Sequence, residues 1–401
     1  MGEWKNASIG ALCELLNGDR GQAYPSADEL VKEGYPFINA GHLINGRVDF
    51  SKCDYITAKK LQSLRGVKLQ NSDIIYCLRG TIGKNAIYEW PSTGTVASSL
   101  VVIRAQNIIP RFLFQLLNSS LEEKLRKASD NGTAQPNLSA ESVAKYSFCV
   151  PIDEKEQTCI AEVLATVDEA MDKTRALIEK YTNIKAGMVQ DLLGSGEEVP
   201  FERIINVCFD YRGRTPKKLG MDWGNGDIPA LSANNVTMGK IDFSKPTNYG
   251  SAELYKRWMT NGDIHKGYIL FTMEAPLGNV AKVEIEQRYI LSQRTIAIDC
   301  NREYCINDYL YHYLMSAKFQ RYIALYASGT TAKGIQRKQL YKLIVTLPKS
   351  IEKQQRIADM LTAADERIQT ERDYLTKLQD IKRGLMQDLL DPNGVSVDVL
   401  M

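Results

Sequence analysis

GTAQPNLSAESVAKYSFCVPIDEKEQTCIAEVLATVDEAMDKTRALIEKYTNIKAGMVQDLL, residues 132–193, returns as GTTAKGIQRKQLYKLIVTLPKSIEKQQRIADMLTAADERIQTERDYLTKLQDIKRGLMQDLL, residues 329–390. The two stretches register without a gap at a constant offset of 197, pairing Pro151 with Pro348, Gln157 with Gln354, Asp168 with Asp365, Gly187 with Gly384 and Gln190 with Gln387. A gapless repeat this long reports duplication of a whole structural unit.

The C-terminal part of each copy has helical periodicity. Apolar residues alternate by four and three at Ile160, Leu164, Val167, Met171, Ile178, Tyr181, Met188 and Leu192. The second copy answers with Ile357, Leu361, Ala364, Ile368, Leu375, Leu378, Leu385 and Leu389. This is the seam of a coiled coil, sustained for about five heptads. Each helix of roughly 40 residues would span about 60 Å at a rise of 1.5 Å per residue. Pro151 and Pro348 precede the helical pattern, and Gly194 and Pro392 follow it, as start and stop signals require. Thr174, Lys185, Glu371 and Lys382 are polar seam positions. In an antiparallel pair Thr174 and Glu371 fall together at the midpoint, where they either set register or reach solvent from the seam's edge.

Ahead of each helix the texture changes to Gly, Asn and short β-branched runs. DIIYCL (73–78), SSLVVIRA (98–105), GYILFTM (267–273) and RTIAID (294–299) read as strands. These regions correspond as well: NGRVDFSK (45–52) matches MGKIDFSK (238–245), and YCLRGTIGKNA (76–86) matches FTMEAPLGNVA (271–281). The expected order is a globular unit (1–150), a long helix (151–195), a second globular unit (196–348) and a second helix (349–393). The fold class is α+β, with mixed α/β units alternating with helices that pair as an antiparallel coiled coil.

At 401 residues the chain exceeds what one core usually supports. Its net charge of +2 says little about nucleic acid, so any DNA contact uses local patches or a partner's charge. Eight scattered cysteines with no C-x-x-C spacing, and three histidines, fit free thiols in a reducing compartment. No apolar run approaches membrane-spanning length, and MGEWKNASIG lacks a signal peptide's apolar region, so a cytoplasmic protein with no membrane association is expected.

Catalytic motifs are missing. There is no nucleotide-binding G-x-x-x-x-G-K-[ST] and no G-x-G-x-x-G opening a helix. Nothing resembles the N/D-P-P-Y/F loop of amino-methyltransferases. Glu284 and Glu286 share one face of a predicted strand, but no further acid or lysine completes a metal-dependent nuclease site. His42, His265 and His312 have no nucleophile or acid in a consistent pattern. A non-catalytic chain without metal or cofactor of its own is expected.

Polar and basic turns remain. LRGTIGKN carries Arg79, Thr81, Lys84 and Asn85; NGTAQPN carries Thr133, Gln135 and Asn137. FDYRGRTPKK carries Arg212, Arg214 and Lys217; Asn234 and Asn235 form a further pair; SGTTAKGIQRK carries Thr330, Lys333, Gln336 and Arg337. Arg and Lys neutralise phosphates, whereas Asn, Gln and Arg make bidentate bonds to base edges. Solvated surface loops have the same composition. Two equivalent halves nonetheless suit a ligand with two related halves, of which duplex DNA is the commonest.

Nearly the whole chain resembles the specificity subunit of type I restriction–modification systems. The resemblance rests on PIDEKEQTCIAEVL (151–164) and LPKSIEKQQRIADML (347–361), each leading to K-x-G-[ML]-[VM]-Q-D-L-L. It rests also on SGTTAKGIQRKQLYKL (328–343), YRGRTP and LRGTIGK. It implies two target-recognition domains, each reading half of a split site in double-stranded DNA, spaced by the paired helices. It further implies two bound methyltransferase subunits that modify adenine N6 using S-adenosylmethionine, and restriction subunits that add ATP- and Mg²⁺-dependent cleavage. On this reading the helix positions Ile160, Leu164, Met171, Ile178, Leu192, Ile357, Leu361, Ile368, Leu375 and Leu389 carry partner binding. The copies depart from one another where Glu274 replaces Arg79 and Asn279 replaces Lys84, and where the first copy lacks the basic residues at 333, 337 and 338. Different targets for the two domains would explain this. The competing readings are a coiled-coil adaptor for other macromolecules and a fused nuclease or methyltransferase.

Overall fold

The computed structural model describes residues 3–19, 21–129, 137–224, 226–329 and 333–391. Two long helices dominate, Glu154–Leu192 and Ile351–Leu389, each of 39 residues. The chain divides into two compact units, and the division crosses both helices. Unit 1 runs to Arg175 and resumes at Asp373, whereas unit 2 is Ala176–Arg372. Each unit therefore holds the first half of one long helix and the last half of the other.

In unit 1 a six-stranded sheet has the order Cys13–Asn17, Leu100–Ala105, Ile74–Cys77, Asn85–Ile87, Arg47–Val48, Leu43–Ile44. A three-stranded sheet of Asp54–Ile56, Tyr35–Ile38 and Thr95–Val96 lies in the same unit. The run Ile74–Cys77 is buried throughout, as expected of a strand covered on both faces. Its side chains alternate between two cores: Ile74 and Tyr76 pack with Phe112 and Leu116, while Ile75 and Cys77 pack with Ile38 and Tyr88. Unit 2 repeats the scheme with Ile205–Asp210, Thr295–Cys300, Ile269–Thr272 and Val280–Lys282 in one sheet. Ile269 and Phe271 face one core and Leu270 the other. The four segments read as strands from sequence are all found at these places.

A strand pair ties the chain together at the root of each helix. Trp4–Ser8 runs antiparallel to Ser147–Pro151 in unit 1, and Glu197–Pro200 to Ile344–Leu347 in unit 2. The helix that follows is pinned by its matched glutamine. Gln157 donates to the Pro151 carbonyl (2.8 Å) and accepts from the Ile109 amide (2.9 Å). Gln354 donates to the Pro348 and Tyr304 carbonyls (2.8 Å each) and accepts from the Ile306 amide (3.1 Å). Both glutamines are buried, so these bonds satisfy backbone groups that water cannot reach.

Within each unit the helix segments run antiparallel. Ile160 and Leu164 share a core with Leu389 and Leu390 in unit 1, and further along Asp168 meets Lys382 at 2.6 Å. Unit 2 matches this with Ile357 and Leu361 packed near Leu192 and Leu193, and Asp365 paired with Lys185 at 2.5 Å. The lysines that interrupt the seam thus each have an acid, supplied by the matched pair Asp168 and Asp365. Thr174 and Glu371 are both buried, which removes the solvent reading. Thr174 donates to its own helix at Ala170 (2.8 Å), and Glu371 pairs with Arg367 (2.7 Å).

Candidate nucleic-acid interface

The hairpin that joins Ile74–Cys77 to Asn85–Ile87 sets the polar site of unit 1. Gly80 and Gly83 have φ of +78° and +85°, the left-handed region that glycine enters freely. A Cβ on Gly83 would also stand 2.6 Å from the Arg126 Nε. The turn lifts Arg79 and Thr81 into solvent. Arg79 forms a backbone bridge with Asn137 and donates from Nε to its side-chain oxygen (3.2 Å). Three of the sequence-selected residues, Arg79, Thr81 and Asn137, therefore share one corner. Lys84 is turned inward, its ammonium on the Ala40 carbonyl (2.9 Å). Thr133 and Gln135 lie outside the described residues.

Asn85 requires correction. It is buried, donates to the Gly83 and Leu117 carbonyls (2.9 and 3.2 Å), and accepts from Asn118 (2.8 Å). Its amide holds the hairpin to the helix Pro110–Leu117 and offers nothing to a base edge.

Unit 2 builds the equivalent corner from other side chains. Its turn presents Glu274 where unit 1 has Arg79, and Glu274 bridges Gly334 through the backbone. Arg294, exposed and at φ +65°, places its Nε 3.6 Å from the Glu274 carboxylate. Arg212, Gln336 and Arg337 line the same hollow. Arg212 grips Asp210 with two bonds (2.8 and 2.7 Å). Burial works against the Asp210 carboxylate, but the Arg212 guanidinium and amide outweigh it and hold its pKa below the ordinary range. Arg337 lies over the Tyr341 ring at 5.0 Å and donates to its hydroxyl (3.0 Å). Lys333 is exposed beside Pro276, and Thr330 lies outside the described residues.

The other candidates of unit 2 stand elsewhere. Arg214 turns onto the Trp258 carbonyl and Thr260, and covers the Tyr211 ring at 4.9 Å. Lys217 is exposed on the short turn Pro216–Leu219, and Asn234 is exposed as well. Asn235 needs the same correction as Asn85. Only 1 % exposed, it accepts from the Ser232 hydroxyl (3.0 Å) and donates to Thr247 (2.9 Å), so it is a loop brace.

The helix positions assigned to partner binding are also corrected in part. Ile160, Leu164 and Leu389 are buried in the core of unit 1 and Ile357 and Leu361 in that of unit 2, while Met171 and Ile368 are buried without belonging to either core. Ile178, Leu192 and Leu375 are half-buried. A heptad shows that a helix face is covered, not what covers it, and here the unit's own core does so at both helix roots. The apolar positions left in solvent are Ile184, Met360, Tyr374 and Ile381, of which Ile184 and Ile381 are repeat equivalents. Glu286, read as part of a strand, instead accepts from the Lys266 amide (2.7 Å) and pairs with His265. Sequence reasoning missed Arg126 and Arg294. Aligning the repeat upstream of residue 132 would have exposed Arg126, because it falls opposite Ile323.

Among the described residues no cluster of three or more His, Cys, Asp or Glu is placed to hold a metal, and no helix is long and apolar enough to cross a membrane. The chain is similar over most of its length to two proteins of Methanocaldococcus jannaschii. It is 23 % identical to the type I restriction enzyme MjaVIII specificity subunit, covering 97 % of this chain and 92 % of that protein. It is 24 % identical to the putative MjaX specificity subunit, covering 90 % and 87 %. In fold it resembles the crystal structure of a type I restriction–modification S subunit from M. genitalium, with a TM-score of 0.63 at 15 % identity over 97 % of this chain and 96 % of the other. A chain from a structure concerned with complex assembly and conformational transition of the type I R-M system gives 0.54 at 16 % identity over 98 % of each. The family described as type I restriction modification DNA specificity domain matches residues 1–181 and again 198–380. The protein therefore belongs to the type I restriction–modification DNA specificity family.

Proposed function

We propose that this chain reads a bipartite site in duplex DNA, one half through the corner at Arg79, Thr81 and Asn137 and the other through the corner at Arg212, Gln336 and Arg337. The observation that carries the proposal is the unlike chemistry of two corners held by matching main-chain hydrogen bonds. Leu78 donates to the Ser99 carbonyl as Met273 does to Arg294, yet Glu274 stands in the place of Arg79, Asn279 in that of Lys84 and Arg294 in that of Ser99. A frame repeated with different polar groups suits two different half-sites. The role is recognition rather than catalysis, as in the family. Methylation of adenine N6 with S-adenosylmethionine falls to two methyltransferase subunits. ATP- and Mg²⁺-dependent cleavage falls to restriction subunits, in a cytoplasmic complex. Ile184 and Ile381, one in each unit and repeat equivalents, offer two like apolar positions for two like partners. A coiled-coil adaptor role is not favoured, since the family match extends over both units.

The test is co-expression with a cognate methyltransferase subunit in a methylation-free host, followed by genome-wide mapping of N6-methyladenine. The expected result is methylation at a split motif with a fixed spacer, lost when this chain is omitted. Methylation that is unchanged without the chain refutes the proposal.

A further inference from the structure

Unit 1 contains a buried polar group for which unit 2 has only hydrocarbon. Tyr76, on the central strand, donates to the Glu122 carboxylate at 2.5 Å, and both residues are almost fully buried. Arg126, one turn further along the helix Ser120–Ala128, closes on the same carboxylate through Nε at 3.2 Å. Tyr146 lies in the same core and within the field of Glu122. At the equivalent positions unit 2 has Phe271, Phe319, Ile323 and Leu343, all buried in one apolar core. The fold itself therefore does not need the polar version. Burying a carboxylate costs stability unless paired, and apolar replacements of such groups are often neutral or stabilising.

The cost has a visible result. The carboxylate holds Arg126 by Nε alone, against the turn at Gly83. Among the described residues, the two terminal nitrogens of the guanidinium have no hydrogen-bond partner. They share a hollow with Thr81, Lys127 and Asn137; among the described residues that line it none is acidic, and Lys127 pairs with Glu123 at 2.7 Å outside that lining. The matching hollow of unit 2 is lined by Pro276, Leu277, Ile323 and Ala324 together with Gln320 and Lys333, and has no arginine among its described residues. An i,i+4 ion pair on a helix is ordinarily a solvated surface feature. Here the acid is inside the core and the cation is aimed at the candidate DNA corner.

We propose that Arg126, positioned by buried Glu122 and Tyr76, binds a backbone phosphate of DNA beside the half-site read by unit 1, a contact that unit 2 does not make. The proposal rests on the DNA-reading function above. A forked guanidinium with a neighbouring ammonium, hydroxyl and amide matches phosphate oxygens. Phosphate contacts fix orientation without reading sequence, so the group can differ between units whatever bases each reads.

The experiment uses the full chain in complex with its methyltransferase and a duplex carrying the mapped site. Affinity is measured across a salt series for wild type, for Arg126→Ala, and for a fourfold variant, Tyr76→Phe, Glu122→Phe, Arg126→Ile and Tyr146→Leu, which copies the apolar solution of unit 2. The fourfold variant should keep its thermal melting while both variants lose at least about tenfold in affinity. The slope of log K against log salt should become shallower by about 0.9, the contribution of one phosphate, with the mapped motif unchanged. Unchanged affinity and slope in a folded fourfold variant would overturn the assignment. Relaxation of one base position with an unchanged slope would overturn the phosphate contact in favour of base reading. Failure of the wild-type complex to bind its site would instead strike the DNA-reading function itself.

Discussion

Mild acid should loosen unit 2 through His312. This side chain sits on the helix Asn307–Met315 and is 3 % exposed. Its Nε2 lies 3.0 Å from the Thr362 hydroxyl, while Nδ1 has no hydrogen-bond partner among the described residues and stands 3.9 Å from Asp365. Burial pushes its pKa down to about 4; Asp365 and Asp308 pull it up, and Lys185 and Lys282 push it down. In the unfolded chain the imidazole titrates near the ordinary value of about 6.5. Below that pH the unfolded chain takes up a proton that the folded unit refuses, so stability declines as pH falls and the loss is complete near pH 4. At 1.36 kcal/mol per pKa unit the full effect is on the order of 3 kcal/mol, and about 2 kcal/mol of it is lost between pH 7 and pH 5. Domains are stable by only about 5–15 kcal/mol, so this is a large share. Gln115 occupies the matching place in unit 1, where it donates to Asp168 (2.9 Å), and His312→Gln is therefore a substitution the fold already accepts. The assay is urea unfolding at pH 7, 6 and 5 for wild type and variant, following the 307–315 peptide by pulsed hydrogen exchange at one labelling pH. The variant should match wild type at pH 7 to within a few tenths and exceed it by about 2 kcal/mol at pH 5. Equal acid sensitivity in the two proteins would refute the reasoning.

Two further predictions follow from the helices. Gln354→Ala leaves the Ile306 amide and the Tyr304 and Pro348 carbonyls without their partner, and should cost unit 2 about 1–3 kcal/mol, read as a lower urea midpoint. Ile184→Asp combined with Ile381→Asp changes only exposed positions, so melting should stay within about 0.5 kcal/mol of wild type. The same pair should abolish co-purification with the methyltransferase, and retention of the partner would remove this helix face from the interface.

The duplication and the helices were legible because a period of four and three persists whatever the helix packs against. What fills the other side of the seam was not legible. Ile160 and Leu164 look like Leu375 in sequence, yet the first two are root residues of a globular core and the last is half-exposed. The corner of unit 1 was legible through its glycines, because a left-handed turn between two apolar runs favours residues without a Cβ, although unit 2 sets Ala275 at φ +46° in the place of Gly80. Their individual members were not. Asn85 and Asn137 have identical chemistry; only the position of Asn118 and the Leu117 carbonyl makes the first a brace. Glu122 and Arg126 have the i,i+4 spacing of a solvated helical pair; only Tyr76, 46 residues before Glu122 and on another element, closing on the carboxylate, sets them apart.

The two corners also show how specificity can diverge without loss of the fold. Besides the bond from Cys77 to Lys84 and from Thr272 to Asn279, three main-chain bonds recur at matching positions. Leu138 donates to Leu78 as Ile335 does to Met273, and Gly83 donates to Cys77 as Gly278 does to Thr272. The third is the bond from Leu78 to Ser99 and from Met273 to Arg294. None of them depends on a side chain. Arg79 can thus become Glu274, and Ser99 can become Arg294, while the turn keeps its support. Arg294 nonetheless takes a left-handed φ at its place, a strain of order 1 kcal/mol for a residue with a Cβ. That strain is borne by an exposed, charged residue beside Glu274, in the corner where Glu274 and Arg294 stand for Arg79 and Ser99 of unit 1 while these main-chain bonds persist.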